Sequence, residues 1–330
     1  MSSSVPLRRV GTSGLLVSAV GLGCNNFGRA GTRTQSLQGT REVLDAAIDA
    51  GVTFLDTADM YGGDPGLSET LMGDALRGRR DEVVLATKFG HFGRDMGYPP
   101  SGAKASRSYV RRAVEGSLAR LQTDHIDLYQ LHTPDAGTPI GETLDVLGDL
   151  VREGKVRYIG HSNLSGWQIA EADFVARADR AVPFVSAQNH YSLLARAAER
   201  EVLPAVRRFG LGLLPYFPLH NGLLTGKFTR EHAPSDTRIA RQRSHVWEQA
   251  PWDALEAYAA FCEERGITML QATFGWLLAH PEIPSVIAGA TSADQVRANA
   301  EAATAWVPDE QDLATIDGLF PLPEDPAAKV

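Results

Sequence analysis

Four ionisable residues stand at or just after the ends of three consecutive strand-like runs. They are Asp56, Tyr61, Lys88 and His132. If these runs are parallel strands of one barrel, their carboxyl ends meet at one rim, and the four side chains lie together there. The pattern therefore predicts an active site at that rim.

These residue types suit proton transfer to or from a carbonyl oxygen. A free tyrosine, with a pKa of about 10, donates poorly near neutrality, but an adjacent ammonium lowers that pKa by favouring the phenolate. Lys88 is predicted to be that ammonium, and Asp56 to keep it charged and oriented. Tyr61 can then protonate a carbonyl oxygen as hydride reaches the carbon, while His132 hydrogen-bonds the same oxygen.

A structural interpretation stands beside the catalytic one. Asp56 and Lys88 can form a simple ion pair at the rim, and Tyr61 can be an ordinary loop aromatic; singly, each is more often structural than catalytic. Their order at successive strand ends favours catalysis.

No Cys/His cluster has metal-ligand spacing, so no metal is expected.

The elements that must position these residues alternate strand and helix without a Ser/Pro-rich linker. Eight such units predict an α/β fold, a (β/α)8 TIM barrel. The strands are predicted near 19–23, 53–56, 83–87, 126–131, 156–161, 185–188, 212–216 and 286–288. The helices are predicted near 40–50, 68–76, 106–121, 140–152, 166–177, 197–209, 252–265, 270–280 and 293–302.

Two features depart from a plain barrel. Residues 7–17, with glycines at turn positions, predict an N-terminal β-hairpin. Two helices, at 252–265 and 270–280, are predicted before the last strand, so one of them is an insertion. A doubly wound open sheet is the alternative fold. Its dinucleotide fingerprint is not matched, because after Gly21 and Gly23 the third glycine, Gly28, comes too late.

Composition fits one domain over residues 1–330, with frayed tails at 1–6 and 324–330. The 330 residues are 43% hydrophobic and 22% charged, which is enough for a sizeable core. A net charge of -8 argues against nucleic acid or an anionic membrane as partner. Two cysteines and no signal-like segment predict a cytoplasmic protein, and the oligomeric state is left open.

A longer series of ordered motifs resembles the aldo-keto reductase family. The motifs are GVTFLDTA at 51–58 with Tyr61, Lys88, LH at 131–132, GHSN at 160–163, QNHY at 188–191, YFPL at 216–219, GLLTGK at 222–227 and GATS at 289–292. The resemblance runs from the hairpin to about residue 308 and is closer to the bacterial and potassium-channel β-subunit branches. It implies carbonyl reduction, and the roles given above at the four matching positions.

Hydride transfer requires a cofactor, because no side chain delivers hydride, and a nicotinamide is the simplest choice. The resemblance implies that Ser162, Asn163 and Gln188 hold its carboxamide and that Tyr216 stacks on its ring. Alternatively, Ser162 and Asn163 merely cap the following helix. The residues assigned to this part of the cofactor site are Ser162, Asn163, Gln188, Tyr216, Phe217, Pro218 and Leu219.

Two later segments suit phosphate groups. Residues 222–227 offer backbone amides and Lys227 to a pyrophosphate, although a plain turn has the same sequence signature. Ser292 and Gln295 begin the last predicted helix as in a capping box, and a helix N-terminus favours phosphate. The cofactor residues assigned here are Gly222, Leu224, Gly226, Lys227, Gly289, Thr291, Ser292, Gln295 and Asn299, the last as the adenine contact implied by the resemblance.

The sequence departs from much of the family at the expected 2′-phosphate position. Many members place Lys or Arg there, whereas Arg297 is the nearby cation in this chain. The channel-subunit branch binds NADP with similarly uncharged Ser and Gln. NADP is therefore the expected cofactor, with NAD possible.

Two segments are expected to govern substrate and cofactor exchange. The loop at 90–100 predicts an apolar substrate pocket walled by Phe27, Phe89 and His91. Residues 229–249 concentrate arginines and lack a helical period, so they are either a solvated insertion or a lid whose arginines, Arg238 above all, reach cofactor phosphates. The family's long C-terminal substrate loop looks reduced.

The sequence thus predicts an enzyme that reduces small aldehydes or ketones reversibly with NADP(H). One alternative is a regulatory subunit of the same fold that binds NADP(H) as a redox sensor. The other is a barrel lyase or isomerase that uses Tyr61 and Lys88 for proton transfer alone.

Overall fold

Eight short apolar runs form the parallel strands of a (β/α)8 barrel, as predicted. The computed structural model describes residues 5–98, 103–235 and 237–323. The barrel strands are β3 (Val20–Gly23), β4 (Phe54–Asp56), β5 (Val84–Phe89), β6 (Ile126–Leu131), β7 (Val156–Ser162), β8 (Ser186–Gln188), β9 (Gly212–Leu213) and β10 (Val286–Gly289).

The strands are joined in the order β10-β3-β4-β5-β6-β7-β8-β9. The first and last strands of this order approach each other where the Leu213 N–H donates to the Glu282 carbonyl, 2.7 Å away, just before β10. All six residues of β6 are buried, as expected for a parallel strand covered on both faces.

The predicted hairpin covers the amino-terminal end of the barrel. Its strands, β1 (Leu7–Arg9) and β2 (Leu16–Ser18), pair antiparallel with Leu7 opposite Ser18. Val10 and Val17 pack with Phe54, the first residue of β4, in a separate apolar cluster. Gly11 has a φ of 53°, and a Cβ there would lie 2.3 Å from the Gly210 carbonyl oxygen, so the turn requires glycine. The hairpin leaves the carboxyl ends of the strands for the site.

Helices surround the barrel. They are α1 (Leu37–Asp49), α2 (Leu67–Ala75), α3 (Arg107–Leu121), α4 (Ile140–Arg152), α5 (Gly166–Ala178), α6 (Val202–Phe209), α7 (Arg238–Gln242), α8 (Ser244–Glu248), α9 (Trp252–Glu264), α10 (Met269–Ala279), α11 (Ala293–Ala305) and α12 (Glu310–Leu319). Short 3-10 helices lie at Arg33–Gln35, Arg80–Glu82, Ala197–Glu199 and His220–Thr225. The extra helix before the last strand is confirmed, since both α9 and α10 precede β10.

Prolines shorten two predicted elements. The helix expected at 197–209 is divided into a 3-10 helix and α6, because the ring of Pro204 would clash with the carbonyl of Arg200 in a continuous helix. The strand expected at 212–216 ends at Leu213, because Pro215 cannot donate to a ladder. Pairing resumes beyond the proline as a parallel bridge between His190 and Tyr216.

The segment at 229–249 contains the helices α7 and α8, which the sequence analysis did not predict. Ile239 of α7 is fully buried with Leu223 and Phe228 in a small apolar cluster. Position 236, within this segment, lies outside the described residues. The chain beyond residue 308 also forms a helix, α12, which the sequence analysis did not predict.

The frayed N-terminal tail expected at 1–6 does not extend to its last two residues. Val5 is buried in the core, and the Pro6 carbonyl accepts a hydrogen bond from the Ala19 N–H at 2.8 Å. Residues 1–4 and the expected tail at 324–330 lie outside the described residues.

Among the helices that the structure describes, none is long and apolar enough to cross a membrane.

Candidate active site

The structure brings together the four residues that the sequence singled out. Asp56 ends β4, Lys88 lies near the end of β5 and His132 directly follows β6, so all three reach the carboxyl-terminal rim. Tyr61 lies five residues beyond Asp56 in the loop after β4. The Lys88 Nζ is 5.2 Å from the centre of the Tyr61 ring, and the Tyr61 and His132 ring centres are 5.8 Å apart.

Asp56 and Lys88 form a buried ion pair. The Lys88 Nζ donates to the Asp56 Oδ2 at 2.6 Å and to the Thr57 carbonyl at 2.8 Å, and Lys88 has no exposed surface. The other Asp56 oxygen, Oδ1, accepts from the Nε2 atoms of Gln130 at 3.2 Å and Gln188 at 3.0 Å. A buried pair is tolerated when its remaining polar atoms are hydrogen-bonded, and this network provides those bonds. It fixes the position of the ammonium.

Burial and charge act in opposite directions on the Lys88 and Tyr61 pKa values. Burial lowers the pKa of Lys88, but Asp56 and Tyr61 together outweigh it, and the net pKa is raised. Burial raises the pKa of Tyr61 by more than Lys88 lowers it, so that pKa also ends above its usual value. The lowering predicted from the sequence is therefore wrong in net direction, because it left out burial. Near neutrality the site holds an ammonium beside a protonated phenol.

His132 is neutral. Burial, followed by the positive charges of Lys88 and His91, holds its pKa well below the usual range. Its ring meets the His91 ring at 4.7 Å and 70°. Within the described part of the chain the His132 Nδ1 has no hydrogen-bond partner. A neutral imidazole beside Tyr61 can hydrogen-bond an oxygen without competing for the proton.

The residues expected around a nicotinamide carboxamide form one network beside this centre. The Ser162 Oγ donates to the Gln188 carbonyl at 2.8 Å, and the Asn163 Nδ2 donates to the His132 carbonyl at 2.9 Å. The Tyr216 hydroxyl donates to the Asn163 Oδ1 at 2.9 Å. The alternative that Ser162 and Asn163 cap α5 is wrong, because Ser165 is the N-cap of that helix.

Tyr216 and the residues after it line the rim above β9. The Tyr216 ring stacks on the His190 ring at 5.4 Å and 10°. Phe217 is half-buried with a φ of 52°, and the guanidinium carbons of Arg238 and Arg243 lie 5.5 and 5.2 Å from its ring centre. Pro218 is buried, and Leu219 packs against the main core.

The glycine-rich segment is a kinked 3-10 helix. Gly222 and Gly226 have φ values of 102° and 79°, a conformation that favours glycine. The Leu224 side chain is fully buried in the core, so its contribution to a ligand is limited to its backbone. Lys227 is exposed, with its Nζ 5.4 Å from the Phe228 ring centre.

Ser292 is the N-cap of α11, as its sequence pattern predicts. Its Oγ accepts from the Gln295 N–H at 3.4 Å, while the Gln295 Oε1 accepts from the Thr291 N–H at 2.8 Å. The Ser292 hydroxyl and the Gln295 Nε2 can therefore both donate to a ligand. Arg297 pairs with Asp294 at 2.9 Å. The remaining residues assigned here are Gly289, exposed at the end of β10, and Asn299, buried on α11.

The expected apolar substrate wall is not formed by its two phenylalanines. Phe27 and Phe89 have no exposed surface, and Phe89 stacks on Tyr129 at 4.7 Å within the main core. Both rings pack inside the protein, which their positions near strand ends did not reveal. His91 is half-buried and contacts His132, so it remains at the site. Residues 99–102, which include the end of the predicted pocket loop, lie outside the described residues.

Three further residues bear on the site: Gln130 and Arg29, which were not candidates, and Arg243, which was predicted only as one of the arginines of the segment at 229–249. Gln130 donates a hydrogen bond to Asp56. In the sequence, the feature that could have identified it is a single amide side chain in the otherwise apolar end of β6. Arg29 and Arg243 lie near Arg238 at the mouth; their signal is weaker, because nothing in the sequence links the loop after β3 to the segment at 229–249.

Ionisable groups collected at the carboxyl-terminal rim of a (β/α)8 barrel define a barrel enzyme. The model of the aldo/keto reductase family matches residues 19–320, and the chain belongs to that family.

Curated relatives cover nearly the whole chain. It is 38% identical to the uncharacterized oxidoreductase YrpG of Bacillus subtilis (strain 168), over 95% of each sequence. It is 32% identical to the L-glyceraldehyde 3-phosphate reductase of Escherichia coli (strain K12), over 94% of this chain and 91% of that protein. It is 34% identical to a probable voltage-gated potassium channel subunit beta of Oryza sativa subsp. japonica, over 89% and 90%. The family and these relatives support an oxidoreductase that acts on carbonyl groups.

The family generally uses a nicotinamide cofactor, and the residues present suit one. The Arg238 Nε is buried and, among the side chains described, has no hydrogen-bond partner. Donors also stand at the start of α11 and in the backbone around Gly222. Cations and N–H groups of this kind match the phosphates of a dinucleotide.

Proposed function

We propose that this protein reduces aldehydes or ketones to alcohols, reversibly, with NADP(H) as cofactor. The observation that carries the proposal is the buried Lys88–Asp56 pair placed beside Tyr61 and His132. The nicotinamide is held by Ser162, Asn163 and Gln188 with Tyr216 at its ring, the pyrophosphate by residues 222–227 and Arg238, and the 2′-phosphate by Ser292 and Gln295.

A bound nicotinamide supplies hydride, which no side chain of the protein can provide. Tyr61, as a protonated phenol, donates its proton to the carbonyl oxygen. Lys88 stabilises the phenolate that remains, and Asp56 holds Lys88 in place. His132, neutral at physiological pH, donates an N–H to the same oxygen and orients the substrate.

Tyr61→Phe tests this assignment. With purified protein and a panel of aromatic aldehydes, dicarbonyls, sugars and pyridoxal, we expect Tyr61→Phe to lower kcat by at least about a hundredfold, the usual scale for losing a general acid. Cofactor binding, followed by fluorescence quenching, should change little. The matched control is Tyr158→Phe, because Tyr158 packs at the opposite end of the barrel. Normal turnover by Tyr61→Phe would remove Tyr61 from this role.

The relation to a probable channel subunit favours a second candidate, a redox-sensing subunit that binds NADP(H). The complete set of four residues favours turnover instead. Tight cofactor binding without steady turnover of any carbonyl in the panel would support the sensor. Failure to bind either nicotinamide would support a lyase or isomerase.

Cofactor choice depends on the start of α11. Since Ser292 and Gln295 can donate to a 2′-phosphate, we expect NADPH to bind more tightly than NADH, and Ser292→Ala to narrow the difference. Ser36→Ala is the control, because Ser36 caps α1 in the same way through Gly39. Equal affinities of wild-type protein for the two cofactors would contradict the NADP preference.

A further inference from the structure

Three half-buried arginines meet at the mouth of the barrel. Arg29 lies in the loop after β3, Arg238 begins α7 and Arg243 directly follows it. Arg238 and Arg243 both lie against the Phe217 ring. Arg29 is close enough to both of them for the positive charges to repel one another. A Tyr61 phenolate would favour the charged forms of Arg29 and Arg238, so both arginines lie near Tyr61. The cluster therefore borders the catalytic tyrosine.

None of the three has a carboxylate partner within residues 5–98, 103–235 and 237–323. The Arg29 Nη2 donates to the Asn25 carbonyl at 3.1 Å, and the Arg243 Nη1 donates to the Asn221 Oδ1 at 3.4 Å, both neutral groups. Arg8 and Arg94 are also half-buried and donate to backbone carbonyls. Four other arginines that are buried or half-buried pair with carboxylates. Those pairs are Arg80–Asp127, Arg120–Glu69, Arg196–Glu199 and Arg265–Asp312.

Gathering like charges away from water is unfavourable unless an anion joins them. Burial and then the charge of Arg243 lower the pKa of Arg29, and burial, Arg29 and Arg243 lower that of Arg238 to about 10. The chain has more acidic than basic residues. An arginine cluster that nevertheless lacks a carboxylate partner among the described residues indicates a binding site for an anionic ligand.

The cofactor assignment accounts for only part of this charge. Arg238 and Lys227 stand on the segment after β9 and serve a pyrophosphate in the proposed function. Arg29 comes from the loop after β3, and Arg243 also faces His190 and His220 at the rim. Arg29 is thus an additional cation near Tyr61, where the proposed reaction places the substrate carbonyl, and Arg243 is an additional cation at the same rim.

We propose that Arg29 and Arg243 bind the carboxylate or phosphate of the carbonyl substrate, so that the enzyme selects anionic aldehydes or ketones over neutral ones. This inference rests on the proposed function. The guanidinium groups can each make paired hydrogen bonds to carboxylate or phosphate oxygens. The distance between Tyr61 and these arginines then determines which substrates fit, according to how far their anionic group lies from the carbonyl.

The test compares matched substrates in the NADPH-dependent reaction. One pair is 4-oxobutanoate and butanal, which tests for a carboxylate. The other is glyceraldehyde 3-phosphate and glyceraldehyde, which tests for a phosphate. We expect wild-type protein to prefer the anionic member of at least one pair. Arg29→Gln and Arg243→Gln should each raise KM for that member by about tenfold or more, the scale of one charge-assisted bond, with kcat/KM for its neutral counterpart within about threefold.

Arg241→Gln is the control, because Arg241 lies on α7 two residues before Arg243 but is exposed, with its Nη1 bonded to the Gly31 carbonyl. Cofactor affinity is measured in every variant by fluorescence quenching. Wild-type protein without an anionic preference would overturn the inference, as would an Arg29→Gln variant that mainly weakens NADPH binding and slows both substrates equally. If neutral aldehydes are turned over in a Tyr61-dependent way, the proposed function stands whatever the outcome for the arginines.

Discussion

Asp56 determines the charge state of the catalytic centre. Its Oδ2 pairs with the Lys88 ammonium, and its Oδ1 accepts from two glutamines. Burial is the largest single influence on the Lys88 pKa and lowers it, and Asp56 is the largest of the influences that raise it, so loss of this carboxylate would favour a neutral Lys88. A neutral Lys88 would no longer stabilise a Tyr61 phenolate. In the proposed reaction the carboxylate therefore acts through the lysine, as a positioning residue.

A second buried carboxylate, Asp59, lies on the same loop and has the opposite character. It has no exposed surface, and neither of its oxygens has a hydrogen-bond partner in the described part of the protein. Burial, reinforced by the charge of Glu69, raises its pKa to about 8. The folded protein therefore holds a proton on Asp59 that an unfolded chain, with a carboxyl pKa near 3.8, releases.

Asp59→Asn is expected to stabilise the protein at alkaline pH. A raised folded-state pKa gives stability that is complete below about pH 3.8 and is lost as the pH rises through about 8. Asparagine resembles the protonated acid and does not ionise. At pH 8 the variant should melt at least about 3 °C above wild type, and the difference should shrink toward pH 4. Melting curves across this range, with exposed Asp81→Asn as control, provide the measurement; a difference that does not vary with pH would contradict the argument.

At the residue scale, sequence could predict the rim but not its electrostatics. Asp56, Lys88 and His132 are recognisable because an ionisable residue closes each apolar run. The direction of the Tyr61 pKa shift depends on burial, which follows from contacts far apart in the chain. Gln130 and Arg29 were missed for the same reason, since their roles depend on which strand faces and loops meet in three dimensions.

At the scale of elements, α7 and α8 present the arginine cluster to the site. Their support comes from the small cluster around Ile239, which is separate from the main core. The link from the Arg241 Nη1 to the Gly31 carbonyl, at 2.9 Å, joins this segment to the loop after β3. The segment is thus held by few contacts and carries cations that lack a carboxylate partner among the described residues. Both properties are expected of a segment that becomes more ordered when phosphate binds.

We predict that residues 229–249 form a mobile cofactor lid. Proteolysis near residues 238–243 should slow markedly when NADP+ is added, and Arg238→Ala should speed cofactor release in stopped-flow measurements. The exposed linker after α4 serves as an internal control, because its cleavage should not respond to cofactor. Cleavage of the 229–249 segment that ignores saturating cofactor would mean that it is a passive insertion.

Sequence patterns located the barrel elements well because each strand and most helices bury a continuous or periodic apolar face. Both ends of β6 and of α4 are as predicted. The patterns failed where a proline acted locally, at Pro204 and Pro215. They also failed for α7 and α8, whose five residues each are too few to establish a helical period.

At the scale of the whole molecule, additions to the barrel secure its amino-terminal end and its periphery. The hairpin packs at the amino ends of the strands, and α12 packs against α9 and α10 near the end of the chain. The Arg196 guanidinium ties α12 in place, since it donates to the Phe320 carbonyl at 2.7 Å and pairs with Asp317 at 2.9 Å. Sequence analysis overlooked α12, although its Asp309–Asp312 capping box is legible in the sequence.

The contacts of α12 predict that it contributes to stability without taking part in the chemistry. Ile316 is fully buried and Phe320 nearly so, and the Trp276 Nε1 donates to Asp317 at 3.1 Å. None of these residues belongs to the proposed site. Ile316→Ala should therefore cost about 2–5 kcal/mol, the range for large-to-small changes in a core, and lower Tm by at least about 4 °C.

Ending the chain after Pro308 should lower Tm further than Ile316→Ala, because it removes the Arg196 contacts as well as the buried side chains. Removing only residues 324–330 is the matched control, and its Tm separates the contribution of α12 from that of the residues after it. Calorimetry gives the melting temperatures, and turnover per folded molecule, measured well below Tm, should stay within about threefold of wild type in Ile316→Ala. An unchanged Tm after loss of α12 would show that the helix rests on the barrel without stabilising it. A selective loss of kcat in Ile316→Ala would instead couple α12 to the rim.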